Sequence, residues 1–500
     1  MTPPLSRPYD ALALMNVAPL PPRTVAVVLA AGLGTRMKSN SPKVLHELCG
    51  RPMLAYVLDA ARAATGQRPV VVYSPATAAI CQVFAENTDF ALQDEPRGTG
   101  DALRAALAAL PPEVAEILVL SGDVPLLEPA LLTDLLVEHR ARSAVLSLVS
   151  VVTLEPANLG RVVRDDEADV ARIVEVRDAD EDELEIDEIN AGLYAMDVAW
   201  LRGRIGDLRP SPATGELYLT ELVTFARADG RQIATVEVGD DGSLAGINDR
   251  AELADATYRL RERINGRHLL AGVTMLDPST AYIDATVELA PDVVLEPNVI
   301  LRGRSRVGTG TRIGSGSQLV DVAVGRDCTI WASVLESSEV EDAVTIGPFA
   351  HLRPGSSIGR GARIGNYAEV KNSRLEAGVQ QHHMSYLGDA HVGARANIGA
   401  GAVTANYDGT TKHRTTIGEG AFVGVDTMLI APVEIGAGAR TGAGAVVTHD
   451  VPPGMLAVGV PARILERPER TDPPVHGSTA SPDADRPPPE PPASPAPSDQ

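Results

Sequence analysis

The sequence of 500 residues is poor in cysteine, aromatic side chains and positive charge. Its three cysteines, Cys49, Cys81 and Cys328, are far apart, which argues against a disulfide framework or a cysteine metal site and fits a reducing compartment. We expect three buried apolar thiols. Lysine and arginine number 44 against 66 aspartates and glutamates, a net charge of -22. Nucleic-acid binding needs a basic face, so the sequence predicts no nucleic-acid partner.

Long apolar runs are also missing. No run approaches the roughly 20 residues needed to cross a bilayer, and the first residues do not resemble an export signal, so we expect a cytoplasmic protein without stable membrane insertion. Residues 1–20 and 467–500 are rich in proline and offer little to bury, which predicts a disordered leader and a disordered tail. Met15 is a second candidate, besides Met1, for the start of translation.

Residues 21–250 alternate β-rich runs with amphipathic helical stretches, such as VAVVLA from Val25 and TGDALRAALAAL from Thr99. Apolar runs of this kind predict a mainly parallel sheet covered on both faces, that is, a Rossmann-like α/β domain. Ligands bind such sheets at the carboxyl ends of the strands. Residues 251–271 have the pattern of a linker helix.

Residues 272–466 have a different period, because aliphatic residues recur every six positions and glycine often follows them. One such series is Ile283, Leu289, Leu295, Leu301, Val307, Ile313 and Leu319. Neither a helix nor an alternating strand has period six, whereas a hexapeptide β-helix does, with each aliphatic side chain pointing inward. The one long interruption, residues 404–416, is a candidate functional loop.

The first predicted strand runs into a turn that suits phosphate. Gly32 and Gly34 let backbone N–H groups approach closely, while Arg36 and Lys43 supply the positive charge that a triphosphate requires. A lone Gly-x-Gly turn is more often structural, so the basic residues carry the prediction.

The segments LAAGLGTRM and SPKVLH resemble those of the sugar-1-phosphate nucleotidyltransferases. The resemblance implies catalytic roles for Arg36 and Lys43, a uracil-reading amide at Gln93, and Mg²⁺ ligands at Asp123 and Asn248. It implies that UTP and N-acetylglucosamine 1-phosphate bind at Leu29, Ala30, Ala31, Gly32, Lys43, Gln93, Gly98, Thr99, Ser121, Gly122, Asp123, Gly160, Glu175, Asn190 and Asn248. The implied reaction is in-line attack of the sugar phosphate on the α-phosphorus of UTP, which releases pyrophosphate.

Asp123 alone could equally be a turn residue. Its pairing with Asn248 makes chemical sense, since Mg²⁺ takes few protein oxygens together with substrate phosphate. Leu33 lies between the glycines where some relatives carry lysine. This difference moves phosphate neutralisation onto Arg36 and Lys43.

Polar residues interrupt the hexapeptide region in one cluster, in the segments HLRPG, NYAEVKN, HHMSYLGD and ANIGAG and in the loop NYDGTTK. This cluster resembles the acetyltransferase half of the bifunctional N-acetylglucosamine-1-phosphate uridyltransferase/glucosamine-1-phosphate N-acetyltransferase family. Chemistry alone does not choose between His382 and His383 as the base that takes the amine proton, and the resemblance places the base at His383. It implies glucosamine 1-phosphate contacts at Arg353, Lys371, Tyr386, Asn397 and Lys412. It implies acetyl-CoA contacts at Ala400, Asn406, Tyr407, Val425 and Ala443.

The resemblance extends from residue 25 to residue 464. It implies that the β-helix is left-handed, that the chain forms a homotrimer with a shared acetyl site, and that the product is UDP-N-acetylglucosamine for cell-wall precursors. Two departures weaken the expected acetyl-CoA binding. Relatives commonly have serine at the position of Val425, and many have an arginine at the position of Gly459, so Arg463 is an alternative contact.

Two other interpretations stay open. The chain could be a single-activity sugar nucleotidyltransferase with the β-helix as an oligomerisation or regulatory element, although His383 and the NYDG loop argue against this. It could also be a non-catalytic regulator built from the same two domains. A regulator would have no reason to keep the complete set of phosphate and metal residues.

Overall fold

The structure is a computed structural model, and it describes residues 24–156 and 159–466. The leader and tail predicted at residues 1–20 and 467–500, with Met15, lie outside these residues. Within the described part of the chain, no helix combines the length and the apolar character that a membrane span requires.

The N-terminal part is built on a nine-stranded sheet. Its main path runs in space through the strands Ile233–Gly239, Leu146–Val152, Glu188–Asp197, Glu116–Ser121, Thr24–Leu29, Val70–Tyr73 and Asp89–Leu92. Only Glu188–Asp197 is antiparallel to its neighbours on this path, and the hairpin Arg161–Arg164 and Val170–Val174 extends beside it. The predicted mainly parallel α/β sheet is confirmed.

Helices cover both faces of this sheet. The first strand shows why its sequence is apolar throughout: Val25 and Val27 pack into one buried cluster, and Ala26 and Val28 pack into another. The helices of this part are Met53–Thr65, Ala79–Val83, Thr99–Ala109, Pro129–Ala141, Glu181–Leu184, Val198–Arg204 and Glu221–Ala228. A small hairpin of Glu47–Leu48 and Arg51–Pro52 lies outside the sheet.

The linker helix spans Arg250–Leu270 and so begins one residue before the predicted range. Its start is set by Asp249, whose carboxylate accepts hydrogen bonds from the backbone N–H groups of Ala251 at 2.8 Å and Glu252 at 3.0 Å. A side-chain oxygen at this position satisfies N–H groups that have no partner within the helix.

The C-terminal part is a parallel β-helix with three faces, since each coil pairs with the coils before and after it. The last strand described, Arg463–Leu465, differs, because it pairs antiparallel with Leu456–Val458. The first face contains Thr274–Met275, Val294–Leu295, Arg312–Ile313, Thr329–Ile330, Thr345–Ile346, Arg363–Asn366, Gln380–His383, Asn397–Ile398, Phe422–Val423, Arg440–Thr441, Leu456–Val458 and Arg463–Leu465. The second contains Tyr282–Ile283, Ile300–Arg302, Gln318–Val320, Val334–Glu336, His351–Leu352, Glu369–Lys371, Tyr386–Gly388, Val403–Ala405, Met428–Ile430 and Val446–Val447. The third contains Glu288–Leu289, Arg306–Val307, Ala323–Val324, Glu339–Val340, Ser357–Ile358, Arg374–Leu375, Ala390–Val392, Thr415–Ile417 and Val433–Ile435.

The interior of the β-helix is lined by the aliphatic residues that the period of six selected. Leu301 and Leu319 on the second face and Ile313 on the first, for example, are fully buried. A polar residue breaks this lining at Gln381, which is also fully buried and pairs with Ile364 in the coil before and Ile398 in the coil after. The left-handed sense of the coil stays a prediction.

Two smaller expectations change. The interruption predicted at residues 404–416 is shorter, because the second-face strand continues to Ala405 and the third-face strand begins at Thr415. The prediction of three buried thiols is right only for Cys328. Cys49 lies in a tight turn and Cys81 on a short helix at the surface, so both are partly exposed.

Candidate active sites

The N-terminal cleft opens at the carboxyl ends of the central strands and has a volume of about 480 Å³. Seven of the predicted site residues line it: Arg36, Ser121, Asp123, Gly160, Glu175, Asn190 and Asn248. They come from six separate segments of the chain. The topology therefore brings together residues that are up to 212 positions apart in the sequence (248 minus 36).

Asp123, Asn248 and Lys43 meet at one point of this cleft. The Nζ atom of Lys43 lies 2.5 Å from Oδ2 of Asp123 and 3.1 Å from Oδ1 of Asn248, and the hydroxyl of Ser121 donates to Oδ1 of Asp123 at 2.6 Å. Two oxygens from distant segments thus converge on the ammonium group of Lys43. Within the described residues no group of three or more His, Cys, Asp or Glu side chains could cage a metal. Two oxygens fit Mg²⁺, which keeps waters and substrate phosphates as its other ligands.

The two glycines of the phosphate turn have different roles. Gly34 has φ of +58°, and a Cβ atom there would lie 2.5 Å from Cβ of Lys43, so only glycine fits between the turn and the lysine. A Cβ on Gly32 would meet nothing within 4 Å. Leu33 between them is 56% exposed, so its side chain contributes little to the core.

The predicted residues at the strand ends are held through their backbones. Gly122 donates to the carbonyl of Leu29 at 2.9 Å, and Ala30 donates to that of Val72 at 2.9 Å. The carbonyl of Ala31 accepts a hydrogen bond from the Ser74 hydroxyl at 2.9 Å. These bonds fix the path of the backbone where the phosphate turn begins.

The segment around Gln93 forms its own hydrogen-bonded unit. The nearly buried amide of Gln93 donates through Nε2 to the carbonyl of Gly98 at 3.2 Å and to Oδ2 of Asp101 at 3.0 Å. Gly98 has φ of +109°, and a Cβ atom there would lie 2.5 Å from the carbonyl oxygen of Leu217. The hydroxyl of Thr99 accepts a hydrogen bond of 3.1 Å from the backbone N–H of Leu219, two residues after Leu217. The amide group of Gln93 is thus fixed in orientation.

The far wall of the cleft carries polar acceptors. Oε1 of Glu175 accepts a hydrogen bond from Thr220 at 3.1 Å, and burial raises the pKa of Glu175. Asn190 is tied to Gly160 by a backbone hydrogen bond of 2.9 Å. Such a wall can accept hydrogen bonds from sugar hydroxyl groups.

In the β-helix, the predicted base and three predicted acetyl-CoA residues lie in one column. The strand registers place Asn366, His383, Ala400, Val425 and Ala443 at the same corner of five successive coils, between the first and second faces. Neighbouring strands are about 4.8 Å apart. Beyond His383 the column has only small or β-branched side chains, which leave an open strip along the corner.

The two histidines have different partners. Nδ1 of His383 lies 2.7 Å from Oδ1 of Asn366. Because an amide oxygen can only accept, this bond assigns the proton to Nδ1 of His383 and leaves a lone pair on Nε2. Nε2 of His382 lies 3.0 Å from Oε1 of Gln380, and burial, followed by the nearby His383, lowers the pKa of His382.

Cationic side chains from the second face and from the loop after Ala405 gather in one place. The proximity of Lys412, followed by Arg353, lowers the pKa of Lys371, so the three groups form one positive cluster. Nη1 of Arg353 is 2.9 Å from Oε1 of Glu369. Such a cluster suits a phosphate group.

The remaining predicted residues surround this cluster. The side-chain amide of Asn406 donates to Oδ2 of Asp389 at 2.5 Å. A Cβ atom on Gly388 would lie 2.3 Å from the Tyr386 hydroxyl and 2.7 Å from Nδ2 of Asn406, so glycine is needed where these side chains approach the strand. Asn397 lies on the first face, one coil after Gln380.

The loop of residues 406–414 presents Tyr407 and Lys412, which pair as an isolated antiparallel bridge. Asp408 holds this loop: its carboxylate accepts hydrogen bonds from the N–H groups of Thr410 and Thr411 at 2.8 Å, and Nε2 of His413 lies 2.6 Å away. The Thr411 N–H, then His413, holds the pKa of Asp408 far below its usual range.

Comparisons with known proteins agree with this division of the chain. The MobA-like NTP transferase domain model matches residues 26–172, and the bacterial transferase hexapeptide model matches residues 337–372 and 414–449. The bifunctional protein GlmU of Mycobacterium bovis BCG Pasteur 1173P2 is 42% identical over 455 residues, 89% of this chain and 92% of the relative. GlmU of Mycobacterium ulcerans Agy99 is 40% identical over 486 residues, 93% and 99% of the two chains.

This chain belongs to the GlmU family. The GlmU of Mycolicibacterium gilvum PYR-GCK is similar to it at the same level, 42% over 450 residues, with 88% of this chain and 90% of the relative covered. The family match spans both candidate sites.

Four residues that lie at the two sites were not identified from the sequence: Asp101, Asn366, Glu369 and Asp389. The β-helix contained a usable signal. Leu295 pairs with Ile313 and Asn366 with His383, so these two coils take 18 and 17 residues. Counting back one coil from His383 would have found Asn366.

Proposed function

We propose that this chain acetylates glucosamine 1-phosphate with acetyl-CoA and then couples the N-acetylglucosamine 1-phosphate to UTP, giving UDP-N-acetylglucosamine and pyrophosphate for cell-wall precursors. Membership of the GlmU family supports the pair of transferase activities. The observation that carries the proposal is the presence of two polar clusters, one at the strand ends of the α/β sheet and one on the β-helix. Residues 21–250 hold the uridylyl site, residues 251–271 link the parts, and residues 272–466 hold the acetyl site.

In the uridylyl site, the chain positions two anionic substrates. Asp123 and Asn248 would hold Mg²⁺, which when bound would neutralise charge on the triphosphate. Arg36 and Lys43 bring further positive charge to the cleft, and the backbone of the phosphate turn supplies N–H groups. Glu175 and Asn190 accept hydrogen bonds from the sugar and align its phosphate for attack. The sugar phosphate is already a competent nucleophile, so no general base is needed.

In the acetyl site, His383 removes a proton from the amine of glucosamine 1-phosphate. Its Nε2 lone pair, fixed by the hydrogen bond from Nδ1 to Asn366, is the acceptor. The amine nitrogen then bonds to the thioester carbon, and the thiol of CoA leaves with a proton. Arg353, Lys371 and Lys412 bind the sugar phosphate on the adjoining face.

Acetyl-CoA lies along the column above His383. Ala400, Val425 and Ala443 leave room for a long, narrow donor along the corner, while Asn406 and Tyr407 approach from the loop. Tyr386 and Asn397 contact the sugar. Val425 in place of serine offers no hydroxyl, and the exposed strand containing Arg463 provides a cation for the phosphates of the donor.

The proposed assembly is a cytoplasmic homotrimer in which neighbouring chains share the acetyl site. The experiment that tests the proposed function compares two variants in both reactions. Asp123→Ala should abolish pyrophosphate release from UTP and N-acetylglucosamine 1-phosphate but leave acetyl-CoA-dependent thiol release intact, and His383→Ala should do the reverse. Loss of both activities in either folded variant would contradict the two-site proposal.

A further inference from the structure

Gln381 occupies a place inside the β-helix where its neighbours are aliphatic. It pairs with Ile364 in the coil before and with Ile398 in the coil after, and it is fully buried. Its Nε2 donates to the hydroxyl of Ser385, itself 4% exposed, at 3.0 Å. Its Oε1 is buried without a hydrogen-bond partner. A buried amide oxygen without a hydrogen-bond partner destabilises a protein, because the water that it loses on folding is not replaced.

The residue that binds Gln381 is also exceptional. Ser385 lies four residues further along the chain, where the second face begins. At the corresponding pair of positions the previous coil has Ile364 and Ala368, and the following coil has Ile398 and Ala402. Neither of those pairs can form a side-chain hydrogen bond. The polar pair is therefore confined to one coil of these three.

That coil is the one that carries His383. Gln381 and Ser385 flank His382, His383 and Met384, so their hydrogen bond closes the base of this turn from inside the β-helix. Met384 has φ of +34°, the left-handed conformation that Tyr367 also adopts at this corner one coil earlier. From outside, Asn366 holds the imidazole ring of His383 itself.

We infer that Gln381 is a positioning residue for acetyl transfer, whose buried hydrogen bond to Ser385 fixes the turn that presents His383. The inference rests on the proposed function, in which His383 is the base. A small displacement of a catalytic group lowers the rate steeply, even when the change lies outside the reacting atoms. The chain accepts a less stable interior in exchange for a fixed catalytic turn.

The test gives this coil the pair that both of its neighbours carry. In the full-length double variant Gln381→Ile/Ser385→Ala, we expect the melting temperature to rise and kcat for acetyl transfer to fall about tenfold, with KM for glucosamine 1-phosphate and acetyl-CoA unchanged. Uridylyl transfer by the same preparation should be unchanged. If the pair affected folding alone, the melting temperature would change, but kcat would not fall at unchanged KM.

The matched control is Ser317→Ala, which changes a fully buried serine four residues after Ile313, at the same place in a coil remote from His383. Both activities should remain within twofold of wild type. The single variant Ser385→Thr keeps a hydroxyl for Gln381 and should retain most of the acetyl-transfer rate. Wild-type kcat in the folded double variant, or an equal loss of uridylyl transfer, would overturn the role of Gln381. Absence of acetyl transfer in wild type would instead overturn the proposed function.

Discussion

Replacing Asn366 with aspartate should move the acidic limb of the acetyl-transfer pH profile to higher pH. The carboxylate would face Nδ1 of His383 at the place where the amide oxygen now lies, 2.7 Å away. A negative charge there favours the protonated imidazolium, so a higher pH is needed before Nε2 can accept a proton. At neutral pH the variant should be slower than wild type, and at high pH it should regain the rate.

The size of the effect follows from Coulomb's law. Opposite unit charges about 4 Å apart attract by about 1 kcal/mol in water and about 4 kcal/mol at an effective dielectric constant of 20. His383 is exposed, so the attraction lies near the lower of these two values. A free-energy difference of about 1.4 kcal/mol corresponds to one pH unit. We therefore expect the limb to move by about one pH unit at low salt, and by less at high salt because ions screen exposed charges.

The assay is thiol release from acetyl-CoA with glucosamine 1-phosphate, measured as kcat/KM between pH 5 and pH 9. Asn298→Asp, an exposed asparagine in an early coil, makes the same change in charge and should leave the profile in place. Asn366→Leu should lower the plateau without moving the limb, since it removes the acceptor and adds no charge. An unmoved limb in the aspartate variant, or movement to lower pH, would refute the contact between Asn366 and His383.

Two further predictions concern a buried carboxylate and a loop. Burial raises the folded-state pKa of Glu175, so its ionised form destabilises the fold. Glu175→Gln should therefore raise the melting temperature at pH 7 by calorimetry, and the gain should shrink as the pH falls through the window between the raised pKa and the ordinary value near 4.3. An equal gain at all pH values would contradict this. Asp408→Asn should loosen the loop that presents Lys412, raising KM for glucosamine 1-phosphate roughly tenfold at unchanged uridylyl kcat, whereas unchanged KM would show that the loop keeps its shape without the carboxylate.

Much of the architecture could be predicted from the sequence because it depends on local periodicity. The period of six identifies Leu301 and Ile313 as interior residues, since inward and outward positions follow directly from the repeat. The helical pattern of residues 251–271 also predicted the start of the linker helix to within one residue. Family resemblance supplied the proposed roles of the site residues.

What the sequence could not predict are contacts that depend on lateral neighbours. The meeting of Lys43 with Asn248 joins segments 205 residues apart, and no local pattern encodes it. Asn366 could be found only by counting one coil back, because its partner is one coil away rather than adjacent in sequence. The buried hydrogen bond of Gln381 needs the path of the turn, and the partial exposure of Cys81 needs the position of its short helix at the surface.

The column of corner residues divides the length of the β-helix into equal steps of one coil each. From His383 to Ala443 it advances through three coils, about 14 Å at one strand spacing per coil. This distance cannot vary smoothly, because a coil is either present or absent. A donor with a longer or shorter arm would be accommodated by gaining or losing a whole coil, not by changing side chains.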